Sequence, residues 1–315
     1  MGSTSLWKKN EPDNNKILDL LKDSLVKQFR SDVPSGFLLS GGIDSSLLVS
    51  LASELSQKKI LTFNVSNDEP ESKKESENAL LISKLYNTEH TNLNISKLDI
   101  YSFLDILKKF SEPIIDSSIV PTYSIYNKVK NQCKVVFGGD GGDELFGGYN
   151  HFKNFLRYNF LKNFSQYIPK KISGYFNKDD DFYKKGYMYL NLINSDQTII
   201  DIPNFFNYHE RSKIFKDPNL LKDVSLKKIV GKDIAMDSMK NSFKNYLPQD
   251  IMTKIDRCSM LNSVEARTPF LDKRLVSYIF KNTLGNEHIS LMKNRILQKK
   301  ISRPYLPKKI LNQKK

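Results

Sequence analysis

The segment Phe37–Val49, FLLSGGIDSSLLV, constrains the fold more than any other. An apolar triplet, a turn built from Ser and Gly, and apolar residues at helical spacing (Leu47, Leu48, Leu51, Ala52, Leu55) follow in order. That succession predicts a buried strand, a tight turn and a helix whose N-terminus opens at the turn. Open α/β sheets bind ligands at this edge. Free amides at a helix start and the positive end of its dipole favour an anion there. Gly41 and Gly42 let the backbone approach it, and Ser40, Ser45 and Ser46 add hydroxyls. A Walker loop needs a lysine after its last glycine, and none is present. Asp44 instead adds a carboxylate to the loop, and a carboxylate beside phosphates calls for a bridging cation such as Mg²⁺.

The flanking pattern extends this unit. Residues 14–30 read as an amphipathic helix with Ile17, Leu18, Leu20, Leu21, Leu25 and Val26 on its stripe, ended by Pro34 and Gly36. Strands are expected at 60–65, 91–95 and 134–137, with helices at 75–86, 99–110 and 121–131. Strand alternating with helix gives an α/β fold, an open and mostly parallel sheet with helices on both faces. After Gly148 no strand of comparable clarity is read, and residues 150–301 look mostly helical. The layout is an α/β nucleotide-binding half (11–150) feeding a helix-rich half (151–315), taken as one catalytic unit. The acidic and basic run NKDDDFYKK (177–185) reads as solvated surface.

A second glycine-rich turn, VVFGGDGGDELFGGY (135–149), repeats the logic on another strand end. Gly138 and Gly139 permit close approach, while Asp140, Asp143 and Glu144 gather negative charge for metal coordination and general-base work. The net charge of +14 comes from lysines spread along the whole chain, which reads as compositional bias and makes a nucleic-acid partner unlikely on this pattern. His90, His151, His209 and His288 form no metal-ligand spacing. Two cysteines far apart, Cys133 and Cys258, argue against a disulfide framework and for a cytoplasmic setting, and no apolar run suggests a membrane span.

The first loop resembles the SGGxDS pyrophosphate loop of the ATP pyrophosphatases. With SEPIIDSSIVPTY (111–123), GGDGGDELFGGY, SMLNSVEARTPFLDKRLV (259–276) and LPKKILNQKK (306–315) in that order, residues 11–315 resemble the synthetase domain of the asparagine synthetases. That resemblance implies an adenine nucleotide alpha hydrolase-like fold and the cofactors ATP and Mg²⁺. The implied reaction joins ATP and aspartate into β-aspartyl-AMP with release of pyrophosphate, after which ammonia gives asparagine and AMP. It implies ATP binding by Leu38, Ser40, Gly41, Gly42, Asp44, Ser45, Val65, Gly138 and Gly139, with metal held by Asp44 and Asp143. Asp140 takes the place of a catalytic glutamate one methylene longer. Asp116, Ser117, Ser118, Glu265 and Arg267 are candidates for ordering the acceptor substrate. The family's RKKxGF segment places a lysine near pyrophosphate, and Lys315 aligns with it where this chain stops, which suggests C-terminal truncation and weak activity alone.

The family's N-terminal glutaminase domain has no counterpart here, because Gly2 stands where its nucleophilic cysteine follows the first methionine. Three readings are then expected: free ammonia as the nitrogen source, a separate glutaminase subunit, or a chain that is a fragment of a longer protein. Three alternatives stay open. They are amidation of another carboxylate such as a sugar acid of a surface polysaccharide, a tRNA-modifying ATP pyrophosphatase, and an inactive nucleotide-binding fragment.

Overall fold

The computed structural model describes residues 12–67, 69–94, 104, 106–110, 116, 118–164 and 233–313. Ser117, Lys315 and the run at 177–185 lie outside them, as does half of the helix expected at 99–110. The first elements are α1 (Asn14–Gln28), β1 (Ser35–Leu38), α2 (Ile43–Leu55), β2 (Leu61–Ser66), α3 (Pro70–Leu85) and β3 (Glu89–Asn94). After them come α4 (Ile119–Val129), β4 (Val135–Phe137), α5 (Gly142–Phe146) and α6 (Asn150–Phe164). The chain continues with α7 (Ile234–Lys244), a π-helical segment (Leu247–Met252), α8 (Thr253–Met260), β5 (Glu265–Arg267) and a 3₁₀ turn (Pro269–Leu271). It closes with α9 (Lys273–Asn282), α10 (Gly285–His288), α11 (Ile296–Ser302) and α12 (Lys308–Leu311).

The five strands form one sheet in the order β3-β2-β1-β4-β5, parallel throughout. Alternation on β4 divides the core: Val135 and Phe137 face one side and Val136 the other. On the first side α1, α2, α9 and α11 pack around Phe37, which stacks on Phe137 at 4.6 Å between ring centroids. On the second, α4 and α8 close over Phe63, Leu93 and Val136. Helices therefore cover both faces, as the strand–helix alternation predicts. Gly36 is required on β1 because a Cβ there would sit 2.5 Å from the Phe63 ring.

Two expectations need correction. Val26 is not on the buried stripe of α1: it is 45% exposed, while Ile17, Leu21 and Leu25, each one turn apart, are fully buried. More important, a strand does follow Gly148. Residues 265–267 pair with β4 in register Val136↔Ala266 and extend the sheet at its edge. Three residues, two of them charged, are too few to show a period-two pattern, so only the neighbouring strand identifies them. The 3₁₀ turn then drives Phe270 into the core and presents the Pro269 carbonyl to Ser24 Oγ at 2.8 Å. Elements from beyond residue 233 thus complete both cores and the sheet itself.

Candidate active site

Both glycine-rich turns leave the carboxyl ends of adjacent strands, β1 and β4, and face each other across the start of α2. In the first, Gly41 has φ +74°, and a Cβ would lie 2.6 Å from the Asn78 Cβ and 2.7 Å from the Ala79 nitrogen. Ser40 and Ser45 are cross-tied, with Oγ to Oγ at 3.1 Å and the Ser40 N–H donating to Ser45 Oγ at 3.2 Å. Leu38 ends β1, and Val65, half-buried, lies near the same end of β2. Asn64 fixes the approach: its Nδ2 donates to the Leu39 carbonyl at 3.1 Å, and its Oδ1 accepts from Ser76 Oγ at 2.8 Å.

The second turn packs its backbone against the first. A Cβ on Gly139 would stand 3.0 Å from the Asp44 Cβ and 3.1 Å from the Ser45 nitrogen. One on Gly142 would overlap Asp44 Oδ1, and one on Gly148 would overlap Asp143 Oδ1. Gly138 donates its N–H to the Arg267 carbonyl at 2.9 Å, which anchors the turn to β5. Gly139 therefore admits the helix carrying Asp44, Gly138, Gly142 and Gly148 make room for carboxylates, and Gly141 makes room for Leu271.

At the centre stands a residue that no motif identified. Arg295 is 6% exposed and lies between Asp44 and Asp143. Its Nη1 donates to Asp44 Oδ2 at 2.6 Å and to Gln298 Oε1 at 3.0 Å, and its Nη2 donates to Asp143 Oδ1. Gln298 Nε2 donates to the other Asp44 oxygen at 2.6 Å. Burial works against the guanidinium charge, and Asp44 and Asp143 outweigh it, so Arg295 is held above the ordinary arginine value. Asp44 is thus not the unpaired carboxylate that its sequence context suggests. The two acids nonetheless converge on a single cation position with hard oxygen donors, which fits Mg²⁺ in chemistry. No group of three His, Cys, Asp or Glu side chains suited to a metal occurs among the described residues.

Asp140 folds its carboxylate over Gly138 at the end of β4. Burial pushes it up to about 6; Lys254 opposes that rise, and Asp44 and Asp143 add to it. Glu144, on α5, is 1% exposed and accepts from the Tyr149 hydroxyl at 2.6 Å. Burial lifts it to about 7, the Tyr149 hydrogen bond counteracts, and Asp143 and Asp140 contribute to the rise.

A second cluster lies on the side of Asp140 facing α8. Lys254 Nζ donates to Asp116 Oδ2 at 2.7 Å and to Ser118 Oγ at 2.6 Å. Asp116 also accepts from the Ser118 N–H at 2.8 Å and hydroxyl at 2.7 Å. Burial raises the Asp116 carboxyl, but these donors prevail and keep it below the usual carboxylate range. Asp116 and Ser118, both sequence candidates, are thus brought together by a lysine that sequence reasoning missed. Lys254 lies two residues after the π-helical segment, a distortion frequent at functional sites.

Glu265 and Arg267 are placed elsewhere. Arg267 Nε donates to Glu265 Oε1 at 2.8 Å, and its Nη1 reaches the carbonyls of Gln28 and Arg30 at the end of α1, the latter at 2.9 Å. These hydrogen bonds tie the edge strand to the end of α1. At the other end of the chain, Gln313 Nε2 donates to the Gly41 carbonyl at 3.2 Å, so the last described residue lies beside the first loop.

Comparison with known proteins agrees with this arrangement. A family model described as asparagine synthase matches residues 16–315. A glutamine-hydrolyzing asparagine synthetase 1 of Bacillus subtilis is 30% identical over 325 residues, covering 95% of this chain and 48% of the relative. A putative glutamine-hydrolyzing asparagine synthetase of Mycobacterium tuberculosis is 26% identical over 317 residues, covering 96% and 47%. The chain spans about half the length of these curated relatives. Among solved structures, an NH3-dependent NAD synthetase from Campylobacter jejuni aligns over 94% of this chain and 98% of its own at 16% identity, with a TM-score of 0.33. With one model running through both glycine-rich turns, the Lys254 helix and the Arg295 helix, the chain belongs to the asparagine synthase family.

Proposed function

We propose that this chain catalyses ATP-dependent amide formation, adenylating the side-chain carboxylate of aspartate and passing the acyl group to ammonia. The coarser part, ATP-dependent amidation by an amide-forming ligase, is supported by family membership. The finer part is carried by one observation. Two glycine turns bring the Ser40–Ser45 loop, the Asp44–Arg295–Asp143 cluster and the half-buried Asp140 to one edge of a parallel sheet.

In this mechanism Leu38 and Val65 line the adenosine site and Gly138 and Gly139 let the nucleotide approach. Amides and hydroxyls of Ser40, Gly41, Gly42 and Ser45 hold the departing pyrophosphate. The acceptor carboxylate attacks the α-phosphorus, the bond to the β-phosphate breaks, and negative charge grows on pyrophosphate. Arg295 is fixed in advance to meet that charge, as a preorganised donor should be. Asp44 and Asp143 would hold Mg²⁺, which would supply further neutralisation of phosphate charge. Lys315 would add a cation from the chain terminus. Ammonia then attacks the acyl carbon, AMP leaves, and Asp140 takes the surplus proton. Its elevated value suits a base working near neutrality. Asp116, Ser118 and Lys254 form the acceptor side, with Ser117 assigned there by its neighbours in sequence. Small molecules are then the partners, and a separate glutaminase is a source of ammonia. A cytoplasmic setting belongs to the same proposal and rests on the two distant cysteines.

Pyrophosphate release with ATP and Mg²⁺ tests this proposal across a panel of carboxylates, with ammonium and glutamine compared. Release dependent on aspartate, with asparagine and AMP formed when ammonium is present, is expected. Release triggered only by a sugar acid would reassign the acceptor, and release indifferent to every carboxylate would overturn the proposal.

A further inference from the structure

The peptide unit joining Gly41 to Gly42 is held at both of its polar ends. Its carbonyl accepts from Gln313 Nε2 at 3.2 Å, a contact across 272 positions of sequence. Its N–H, on Gly42, donates to Ser40 Oγ at 3.3 Å. Ser40 Oγ in turn lies 3.1 Å from Ser45 Oγ, so one N–H and two hydroxyls gather on the same side of this peptide. In a trans peptide the carbonyl points away from the N–H. Gln313 therefore keeps the Gly41 oxygen on the side opposite those donors.

This unit can turn over but cannot slide. Turning it changes only ψ of Gly41 and φ of Gly42, and a glycine on each side leaves both orientations open to the backbone. Sliding is blocked by α3: a Cβ on Gly41 would stand 2.6 Å from the Asn78 Cβ and 2.8 Å from the Glu75 carbonyl oxygen. Turned over, the peptide would set a carbonyl oxygen among the hydroxyls and send its N–H outward. A backbone N–H attracts an anion, and a carbonyl oxygen in the same place repels it. The orientation matters here because α2 opens at this peptide, with Gly42 as its N-cap and no side-chain cap.

Gln313 is itself fixed from the core. Ile310 and Leu311 are buried beside residues of α1 and α2, and the Gln313 N–H donates to the Ile310 carbonyl at 3.3 Å. Its side chain is half-buried and uncharged, so it acts on the shape of the loop and not on its potential.

We propose that Gln313 is a positioning residue for the first loop. Its hydrogen bond holds the Gly41–Gly42 peptide with the N–H on the anion side, and so strengthens binding of the phosphate chain of a nucleotide. The effect on binding rests on the function proposed above; control of the peptide does not.

Two measurements on the whole chain test this. Gln313→Met keeps the side-chain length and removes the donor, whereas Gln313→Arg keeps a donor at similar reach. The first measurement is amide hydrogen exchange without ligand. Exchange across residues 41–45 about tenfold faster in Gln313→Met, and close to wild type in Gln313→Arg, is expected. Equal exchange in wild type and Gln313→Met overturns the proposal. The second is calorimetric binding of ATP with Mg²⁺, of pyrophosphate and of adenosine. Gln313→Met should bind ATP and pyrophosphate about tenfold more weakly, on the scale of one lost hydrogen bond, with adenosine unchanged and Gln313→Arg restored. Unchanged affinity for pyrophosphate, or an equal loss for adenosine, overturns the positioning role. If wild type binds neither ATP nor pyrophosphate, the proposed function fails and the exchange comparison still decides whether Gln313 controls the peptide. Should Gln313→Met not fold, Gln313→Asn, one methylene too short, replaces it with the same expected and overturning results.

Discussion

Arg295 Nη1 stands 2.6 Å from Asp44 Oδ2, joining residues 251 positions apart inside the protein. The arginine holds this position from a left-handed backbone, φ 55° and ψ 33°, at the start of α11. For a residue other than glycine that conformation is unfavourable by about 1–3 kcal/mol and is sustained by its surroundings, here two carboxylates and Gln298.

Replacing Arg295 by Met should destabilise the fold by about 3–5 kcal/mol, because Asp44 and Asp143 then face each other without their buried partner. Urea unfolding measures the change. Arg295→Lys keeps the charge but cannot span both acids, so it should recover part of the stability and little of the pyrophosphate release. Equal stability of wild type and Arg295→Met would show that the pair contributes nothing.

Gly142→Ala should disturb the site more than the fold. The added methyl overlaps Asp44 Oδ1, so the carboxylate must rotate away from Arg295 and Gln298. An ATP-dependent rate lowered by about 100-fold is expected, comparable to a misplacement of about 1 Å in a catalytic group. A circular dichroism spectrum close to wild type should accompany it. Undiminished turnover would remove Asp44 from the catalytic geometry.

Asp140 predicts opposite pH dependences for activity and stability. Burial lifts its folded value from 3.8 to about 6, so in that window the folded chain binds more protons than the unfolded chain. This group's contribution to stability therefore falls as pH rises from about 4 to about 6, and the loss persists above. Asp140→Asn should be more stable than wild type at about pH 8 and little different at about pH 4. A base is active when deprotonated, so wild-type turnover should rise through about 6. Lys254 opposes the burial effect, so Lys254→Met should move that limb to higher pH, and Lys254→Arg should move it less. A profile unmoved in Lys254→Met would disconnect the lysine from Asp140.

Arg267→Ala tests a structural role for a residue that the sequence also offers as a substrate contact. Its hydrogen bonds to the carbonyls of Gln28 and Arg30 cap the end of α1. Their loss should cost about 1–3 kcal/mol by urea unfolding, within the range for charged hydrogen bonds. KM for the acceptor should change less than twofold; a large rise in KM with unaltered stability would return Arg267 to the substrate site.

Much of the α/β half was legible because its signals are local. The strand–turn–helix of Phe37–Val49 and the glycine run at 138–142 each place a backbone feature within a few residues of the side chains that require it. Helix periodicity and turn glycines act over that same range. What the sequence by itself determined is therefore a parallel α/β unit with two loops suited to a nucleotide, together with the positions of Asp44, Asp140 and Asp143.

Tertiary structure alone decided what those acids meet. Arg295, Gln298 and Lys254 carry no local pattern that marks them as partners of residues more than a hundred positions earlier. The edge strand 265–267 exists because β4 offers unpaired backbone groups, and not through any preference of three residues. Arg267 was drawn to the carbonyls ending α1 for the same reason: a buried or half-buried charge settles where its hydrogen bonds can be completed. Local chemistry fixes which groups a chain carries to a sheet edge, and long-range packing fixes which of them remain available there.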